Sequence, residues 1–171
     1  MSGWSIRLAR MADASEFPSI ESAAATLYEV MDGLAGLASA EPLSKERYAA
    51  MIRQGHSLTA QDAERIVGFA ATERHGRELH LREMSVHPDR QRAGIGQALL
   101  RGLEIDARNS GFRAITLTTF ADIAWNAPFY ERLGYACVTD LAAHPRLAAE
   151  LDRDAEDGLP ADRRCAMIRF L

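Results

Sequence analysis

Cysteine is scarce in this chain, with only Cys137 and Cys165 among 171 residues. Two thiols make no disulfide framework, and they lack the spacing of a metal site, so no metal is expected. Both fall in apolar, strand-like runs, where buried and inert thiols are the expectation. Long apolar runs are missing too. Nothing approaches the roughly 20 apolar residues of a membrane span, so no membrane partner is expected. The first residues, Met1-Ser2-Gly3-Trp4, carry neither the basic flank nor the apolar run of a leader, which makes the cytoplasm the expected compartment. Nor is there an excess of basic charge. The formal net charge is −4, and nucleic-acid affinity rests on many cation–phosphate contacts, so nucleic acid is not an expected partner. Repeats and low-complexity tracts are absent.

What remains is an ordinary globular composition, 47% hydrophobic and 26% charged, in a length suited to one domain with a single core. The stretch that organises it is Leu79–Gly96, LHLREMSVHPDRQRAGIG. Leu79 and Leu81 share one parity and Met84 and Val86 the other. Side chains alternate across a strand, so this change of parity predicts one extra residue, a β-bulge, between Leu81 and Met84. A bulge leaves backbone N–H and C=O groups without ladder partners, and a ligand running alongside would satisfy them. Pro88 ends the strand. Gln91-Arg92-Ala93-Gly94-Ile95-Gly96 then opens a helix on which Ile95, Leu99 and Leu103 recur. Free N–H groups and the positive end of the helix dipole converge there and suit an anion such as a phosphate, with Arg90 and Arg92 adding charge. A lone G-x-G also describes a simple strand-to-helix turn. A Walker loop does not fit, because Gly96 is followed by Gln97-Ala98 and not by Lys-Ser/Thr. A dinucleotide fingerprint lacks its third glycine.

In chain order, Ile6–Arg10 alternates as a strand. Asp13 would cap a helix over Ala14–Tyr28. Met31–Pro42 reads as loop or weak helix, and Ser44 starts a short helix to about Arg53. Ser57–Gln61, Arg65–Glu73 and the bulged strand form an antiparallel meander joined by short turns. The helix after Gly96 runs to about Asn109, with Gly111 placed for a left-handed cap. Gly102 within it suggests close packing on the sheet. Ala114–Phe120 is a β-branched strand that should lie parallel to the bulged one. A helix Pro128–Leu133 ended by Gly134, a strand Tyr135–Thr139, a helix His144–Glu156 and a strand Arg164–Phe170 complete the chain. That apolar last strand could pair across a homodimer.

Two motifs resemble the GNAT superfamily of N-acetyltransferases. Gln91-x-x-Gly94-x-Gly96 after Val86-His87-Pro88 is similar to the family's acetyl-CoA pyrophosphate loop. Phe129-Tyr130-Glu131-Arg132-Leu133-Gly134-Tyr135 is similar to its second signature, a Tyr four residues before a Gly-aromatic pair. The resemblance spans about Ile66 to Val138. It implies an α/β (α+β) fold, a single domain whose mixed, mostly antiparallel, splayed sheet is flanked by helices. It also implies acetyl-CoA as cosubstrate and a primary amine, on a small molecule or peptide, as acceptor. Glu83 at the bulge would be the base and Tyr130 the acid that protonates the departing thiolate. Met84, Ser85 and Val86 would bind the pantetheine arm by main chain, the Met84 N–H polarising the acetyl carbonyl. Gln91, Arg92, Ala93, Gly94, Ile95, Gly96 and Gln97 would hold the pyrophosphate, and Asn126 and Phe129 would border the cofactor. One departure is that many family members carry Asn seven residues before the Tyr, where this chain has Ile123.

Other readings stand beside these. Glu83 could be an ion-paired strand residue, Tyr130 a half-buried aromatic and Asn126 a helix cap. His80 and His87 are lone histidines, and Cys137 is a weak candidate nucleophile. The rival function is a non-catalytic acyl-CoA-binding sensor or interaction module, which would not need Glu83 and Tyr130 together.

Overall fold

The computed structural model describes residues 3–171. Met1 and Ser2, on which the expectation about a leader partly rested, lie outside the described residues. Seven strands make one sheet: β1 (Trp4–Leu8), β2 (Leu58–Asp62), β3 (Arg65–His75), β4 (Glu78–Val86), β5 (Ala114–Phe120), β6 (Ala136–Cys137) and β7 (Arg164–Phe170). They lie in the order β1-β2-β3-β4-β5-β7-β6, and only the β4–β5 pair is parallel. Five α-helices flank the sheet: α1 (Phe17–Ala25), α2 (Lys45–Arg53), α3 (Ile95–Asn109), α4 (Ala127–Arg132) and α5 (Pro145–Glu156). This is the mixed, mostly antiparallel α/β architecture expected. Among the described residues no helix is long and apolar enough to cross a membrane.

The bulge is where the change of parity put it. Glu83 pairs with Ala71 of β3 and Leu81 with the next residue, Thr72, so Arg82 is the extra residue. Leu79, Leu81, Met84 and Val86 consequently all pack into the cluster built around α3. That helix buries Ile95, Leu99, Leu100 and Leu103 completely, each contributing about 1.5–3 kcal/mol. Gly102 lets it close on β1 and β2, since a Cβ there would stand 3.1 Å from Leu58 and 3.6 Å from Ile6.

The opposite face of the sheet carries Phe69 and Ala71, covered by Phe17, Ile20, Tyr48, Met51 and Ile52 of α1 and α2. Toward β5 this face is polar. Glu150 of α5, fully buried, receives both ends of the Arg82 guanidinium, at 2.7 and 3.1 Å. Arg146 of α5 binds Glu78 and Thr116. These ties hold α5 against β4 and β5.

Strands β4 and β5 pair over only three residues, Glu78↔Ala114 to His80↔Thr116, after which they part. On its other edge β5 pairs with β7 along its whole length, Ala114↔Phe170 to Phe120↔Arg164. The splayed gap begins one residue before the bulge.

Four local expectations differ from what is seen. Asp13 does not cap a long helix. Its carboxylate turns inward to Arg7 (2.6 Å), Thr59 (2.9 Å) and the Arg10 N–H (2.8 Å), and residues 11–30 become two single 3₁₀ segments either side of α1. The strand after Gly134 is two residues long, because β7 offers it only Met167 and Ile168 as partners. The last strand is no edge. β7 lies between β5 and β6, which covers the Met167–Ile168 edge that pairing across a dimer would use. Cys137 is exposed and Cys165 half-buried, their sulfurs 3.8 Å apart across β6 and β7, and so they are not buried thiols.

Candidate active site

The gap between β4 and β5 opens at one end onto the loop 87–94. Gln91 shapes that loop by donating from Nε2 to the Val86 carbonyl (3.0 Å), which folds the loop back on the strand end. Arg92 and Gly94 both take left-handed backbone, at φ 62° and 81°. Such alternation turns successive N–H groups to one side, and Gly94 leads directly into the first turn of α3. Arg92 is tolerated there at a cost of about 1–2 kcal/mol, strain of the kind found where a loop serves a ligand. Gly96 faces Phe129 and Met84, where a Cβ would lie 3.6 and 3.9 Å from their side chains. Gly96, Met84 and Phe129 thus bring loop, strand and α4 to one point. Beyond it, Gln97, Phe129, Arg132 and Leu133 line a surface groove of about 330 Å³ between α3 and α4. Arg90 does not add free charge to the loop, because Asp62 holds it at 2.8 Å.

Along the gap, β4 from Glu83 to Val86 bonds to β3 on one edge only. In an antiparallel ladder alternate residues direct N–H and C=O to opposite edges, so part of the main chain of Glu83, Met84, Ser85 and Val86 faces the gap.

Glu83 leaves β4 on the α1–α2 face, opposite Ala71. Its carboxylate accepts from the Ser85 hydroxyl at 2.8 Å. Burial, and then the Glu21 carboxylate on α1, push its pKa up to about 7; Ser85, Arg164 and the Met84 amide pull the other way. A carboxyl poised there exchanges a proton near neutrality. Tyr130 comes from α4. It packs edge-on against Phe129 (5.4 Å between centroids) and Tyr135 (5.7 Å). Burial first, and then the charges of Glu83 and Tyr28, hold its phenol well above the usual range. That phenol keeps its proton at any ordinary pH and serves as a donor.

Asn126 occupies the N-cap position of α4, but its side chain caps nothing. Its Oδ1 accepts from Thr119 at 2.6 Å and ties the start of α4 to β5. His80 is buried against Thr116 (2.9 Å) with its pKa lowered to about 3, mainly by burial and by Arg82, so it stays neutral and is no relay. His87 accepts from the Asp89 N–H at the loop's start.

Four residues of this region escape a reading of the motifs: Glu21 and Tyr28 from the first helical segment, Tyr48 of α2 and Arg164 of β7. Glu21 accepts from the Tyr48 hydroxyl and from the Leu43 N–H. Burial, then Glu83, raise the Tyr28 phenol. Arg164 is engaged by Asp154 (2.9 Å) and lies 4.6 Å from the centre of the Phe120 ring. Nothing in the local pattern of these residues marks them, because packing of α1, α2 and β7 brings them together.

A seven-stranded sheet opened beside a bulge, with a glycine-turned loop at the head of a helix, defines a class, and comparison with known proteins agrees. The model of the acetyltransferase (GNAT) domain family matches residues 53–137. Residues 53–137 thus belong to the GNAT family, and the fold around them agrees with it. Among solved structures, it is similar over 100% of both chains to the PaiA N-acetyltransferase of Thermoplasma acidophilum in complex with coenzyme A, at 17% identity and a TM-score of 0.73. It is similar to the ribosomal-protein-S18-alanine N-acetyltransferase of Escherichia coli at 22% identity and a TM-score of 0.67, over 98% of this chain and 93% of that one. A third, Rv2747 of Mycobacterium tuberculosis in complex with CoA, gives 16% identity and a TM-score of 0.69, over 98% and 99%. At these identities the likeness is one of fold.

Proposed function

We propose that the chain moves an acetyl group from acetyl-CoA to a primary amine, by direct attack within a ternary complex. The single observation that carries this reading is the parting of β4 from β5 beside the bulge, with Glu83 on one side of the gap and the loop 91–96 at its mouth. Two of the similar structures are complexes with CoA, and the gap has the length of free strand edge and the anion-suited loop that such a molecule needs.

When bound, acetyl-CoA supplies an activated thioester. The protein's own residues do the rest. Backbone N–H groups of Arg92, Ala93, Gly94, Ile95, Gly96 and Gln97 receive the pyrophosphate, and Gln91, whose own N–H is bound to the Pro88 carbonyl (3.3 Å), shapes the loop through its side chain. Main-chain groups of Met84, Ser85 and Val86 hold the pantetheine arm as an added strand would. The Met84 N–H, which lies beside the Glu83 carboxylate, polarises the thioester oxygen once the cosubstrate is bound. Phe129 and Asn126 border the arm from α4.

The acceptor sets the demand on Glu83. An alkyl amine with a pKa of about 10.4 is protonated at neutral pH, and removing its proton costs roughly 4–5 kcal/mol. Glu83 accepts that proton, directly or through water. Tyr130 donates to the departing thiolate. The direct route needs no covalent enzyme intermediate, and Cys137, exposed at the sheet edge, takes no part.

The test is thiol release from acetyl-CoA across a panel of amines. Turnover in the wild type, lost in Glu83→Gln and strongly reduced in Tyr130→Phe, is the expected result. Acetyl-CoA binding without thiol release for any amine would favour a non-catalytic sensor instead.

A further inference from the structure

Beyond the bulge, α1 and α2 close over the same face of β4 that carries Glu83. From α1 comes a second carboxylate, Glu21. Its position is fixed rather than loose. It accepts from the Tyr48 hydroxyl and, at 3.0 Å, from the Leu43 N–H. Tyr48 is itself fully buried, edge-on to Phe17 (5.3 Å) and Phe69 (5.1 Å). Phe69 stands opposite Ser85, whose hydroxyl binds Glu83. One rigid aromatic cluster therefore anchors both carboxylates.

The surroundings of this pair differ from those of every other well-buried acid. Asp13, Glu73, Glu104, Asp154 and Glu150 each have an arginine partner. Glu21 and Glu83 form no ion pair among the described residues. The nearest cation to Glu83, Arg164, is already held by Asp154 and packed on Phe120. Glu21 raises the pKa of Glu83, and burial raises that of Glu21 itself. Two acids without a counter-charge are a destabilising arrangement, and a cation arriving between them relieves it. Around them stand aromatic rings, Tyr28 against Phe120 (5.8 Å) and Tyr28 against Trp125 (6.3 Å), whose faces also suit a cation.

Resting on the acetyl-transfer reading above, we infer that Glu21 is a specificity residue of the acceptor subsite. With Glu83 it receives an alkylammonium, and it repels any acceptor with a carboxylate on the carbon that bears the reacting amine. Glu83 exchanges the proton, whereas Glu21 holds charge. Free α-amino acids are thereby excluded, and cationic alkylamines and arylalkylamines are the substrate class.

The experiment compares matched acceptors that differ only by that carboxylate: 2-phenylethylamine with phenylalanine, and 3-methylbutylamine with leucine. Acetyl-CoA affinity is measured in parallel by calorimetry. The wild type should prefer the amine in each pair by about 100-fold or more in kcat/KM, a difference of the size expected for a buried charge contact. Glu21→Gln keeps one acceptor oxygen, and Tyr48 and Leu43 both donate to the same oxygen of Glu21. The variant should raise KM for the amines about tenfold or more, narrow the preference by the same factor, and leave acetyl-CoA affinity unchanged. Tyr48→Phe, which frees Glu21 without removing its charge, should raise KM less. Equal or reversed preference in the wild type overturns the assignment of Glu21 while acetyl transfer stands. So does a Glu21→Gln variant with unaltered KM. Failure to acetylate any of the four, with acetyl-CoA still bound, overturns it as well. Failure to bind acetyl-CoA removes the parent reading. If Glu21→Gln does not fold, the wild-type preference decides.

Discussion

Arg82 and Glu83 are adjacent in sequence, yet both side chains leave β4 on the same face of the sheet. Arg82 reaches Glu73 and the buried Glu150 of α5, and Glu83 stands opposite Ala71 beneath α1. In a regular strand neighbouring side chains point apart. Here the inserted Arg82 restores the apolar register of Met84 and Val86 toward α3 and sets a carboxylate beside the open edge of the strand. A structural ion pair and a candidate catalytic base thus arise from one irregularity.

Truncation of Arg82 should therefore harm stability first. Glu150 is fully buried, and its pKa, which burial alone would raise, is brought below the usual value by Arg82. Removing the guanidinium leaves Glu150 with Arg153 (2.9 Å) as its remaining cation, at a cost of about 3 kcal/mol, the lower end for a broken buried pair. Chemical denaturation of Arg82→Ala should show that loss, and Arg82→Met with Glu150→Gln should recover most of it. The intact pair's contribution should be present above the unfolded carboxylate pKa and fade as the pH falls through Glu150's lowered value.

Glu83→Gln should trade activity for stability. Burial and Glu21 raise the Glu83 pKa to about 7. Between the unfolded value and that one, the unfolded chain sheds a proton that the folded chain retains, so wild-type stability falls as pH rises across this window. Gln carries no such penalty. The variant should melt higher than the wild type at about pH 8 and by less at about pH 5, while kcat falls by about 10²–10⁴-fold. The wild-type rate should climb as pH passes through about 7. A difference in melting temperature between variant and wild type that is the same at both pH values would contradict the raised carboxyl.

Much of this was legible in the residues themselves. The bulge followed from the parity of four apolar residues, α3 and β5 from period and β-branched content, and the loop from its glycines. These are local signals, complete within a dozen residues. Glu21 and Tyr48 were not legible, because they meet Glu83 only after α1 and α2 pack across the sheet. Asp13 looked like a helix cap because Arg7 and Thr59, its true partners, belong to β1 and β2. The two cysteines looked buried because apolar neighbours say nothing about a two-residue strand at the edge of a sheet.

Tyr130→Phe should separate chemistry from binding. The phenol, held protonated by burial, makes a proton donor and no base. Without its hydroxyl, kcat should drop by about 10²-fold with acetyl-CoA affinity unchanged, and no alkaline limb assigned to this residue should appear below about pH 10. An equal loss of acetyl-CoA affinity would make Tyr130 a wall of the groove instead.

The central claim is that acetyl-CoA occupies the gap with its pyrophosphate on the loop before α3. Titration calorimetry of the wild type and of Gly94→Trp tests it most directly. At φ 81° any side chain at Gly94 is strained, although a Cβ itself would meet nothing within 4 Å. The variant therefore alters the loop while the core stays intact. One acetyl-CoA should bind per chain, with affinity at least about tenfold weaker in the variant. No binding to the folded wild type at about millimolar ligand, or equal affinity in the two proteins, would contradict the account.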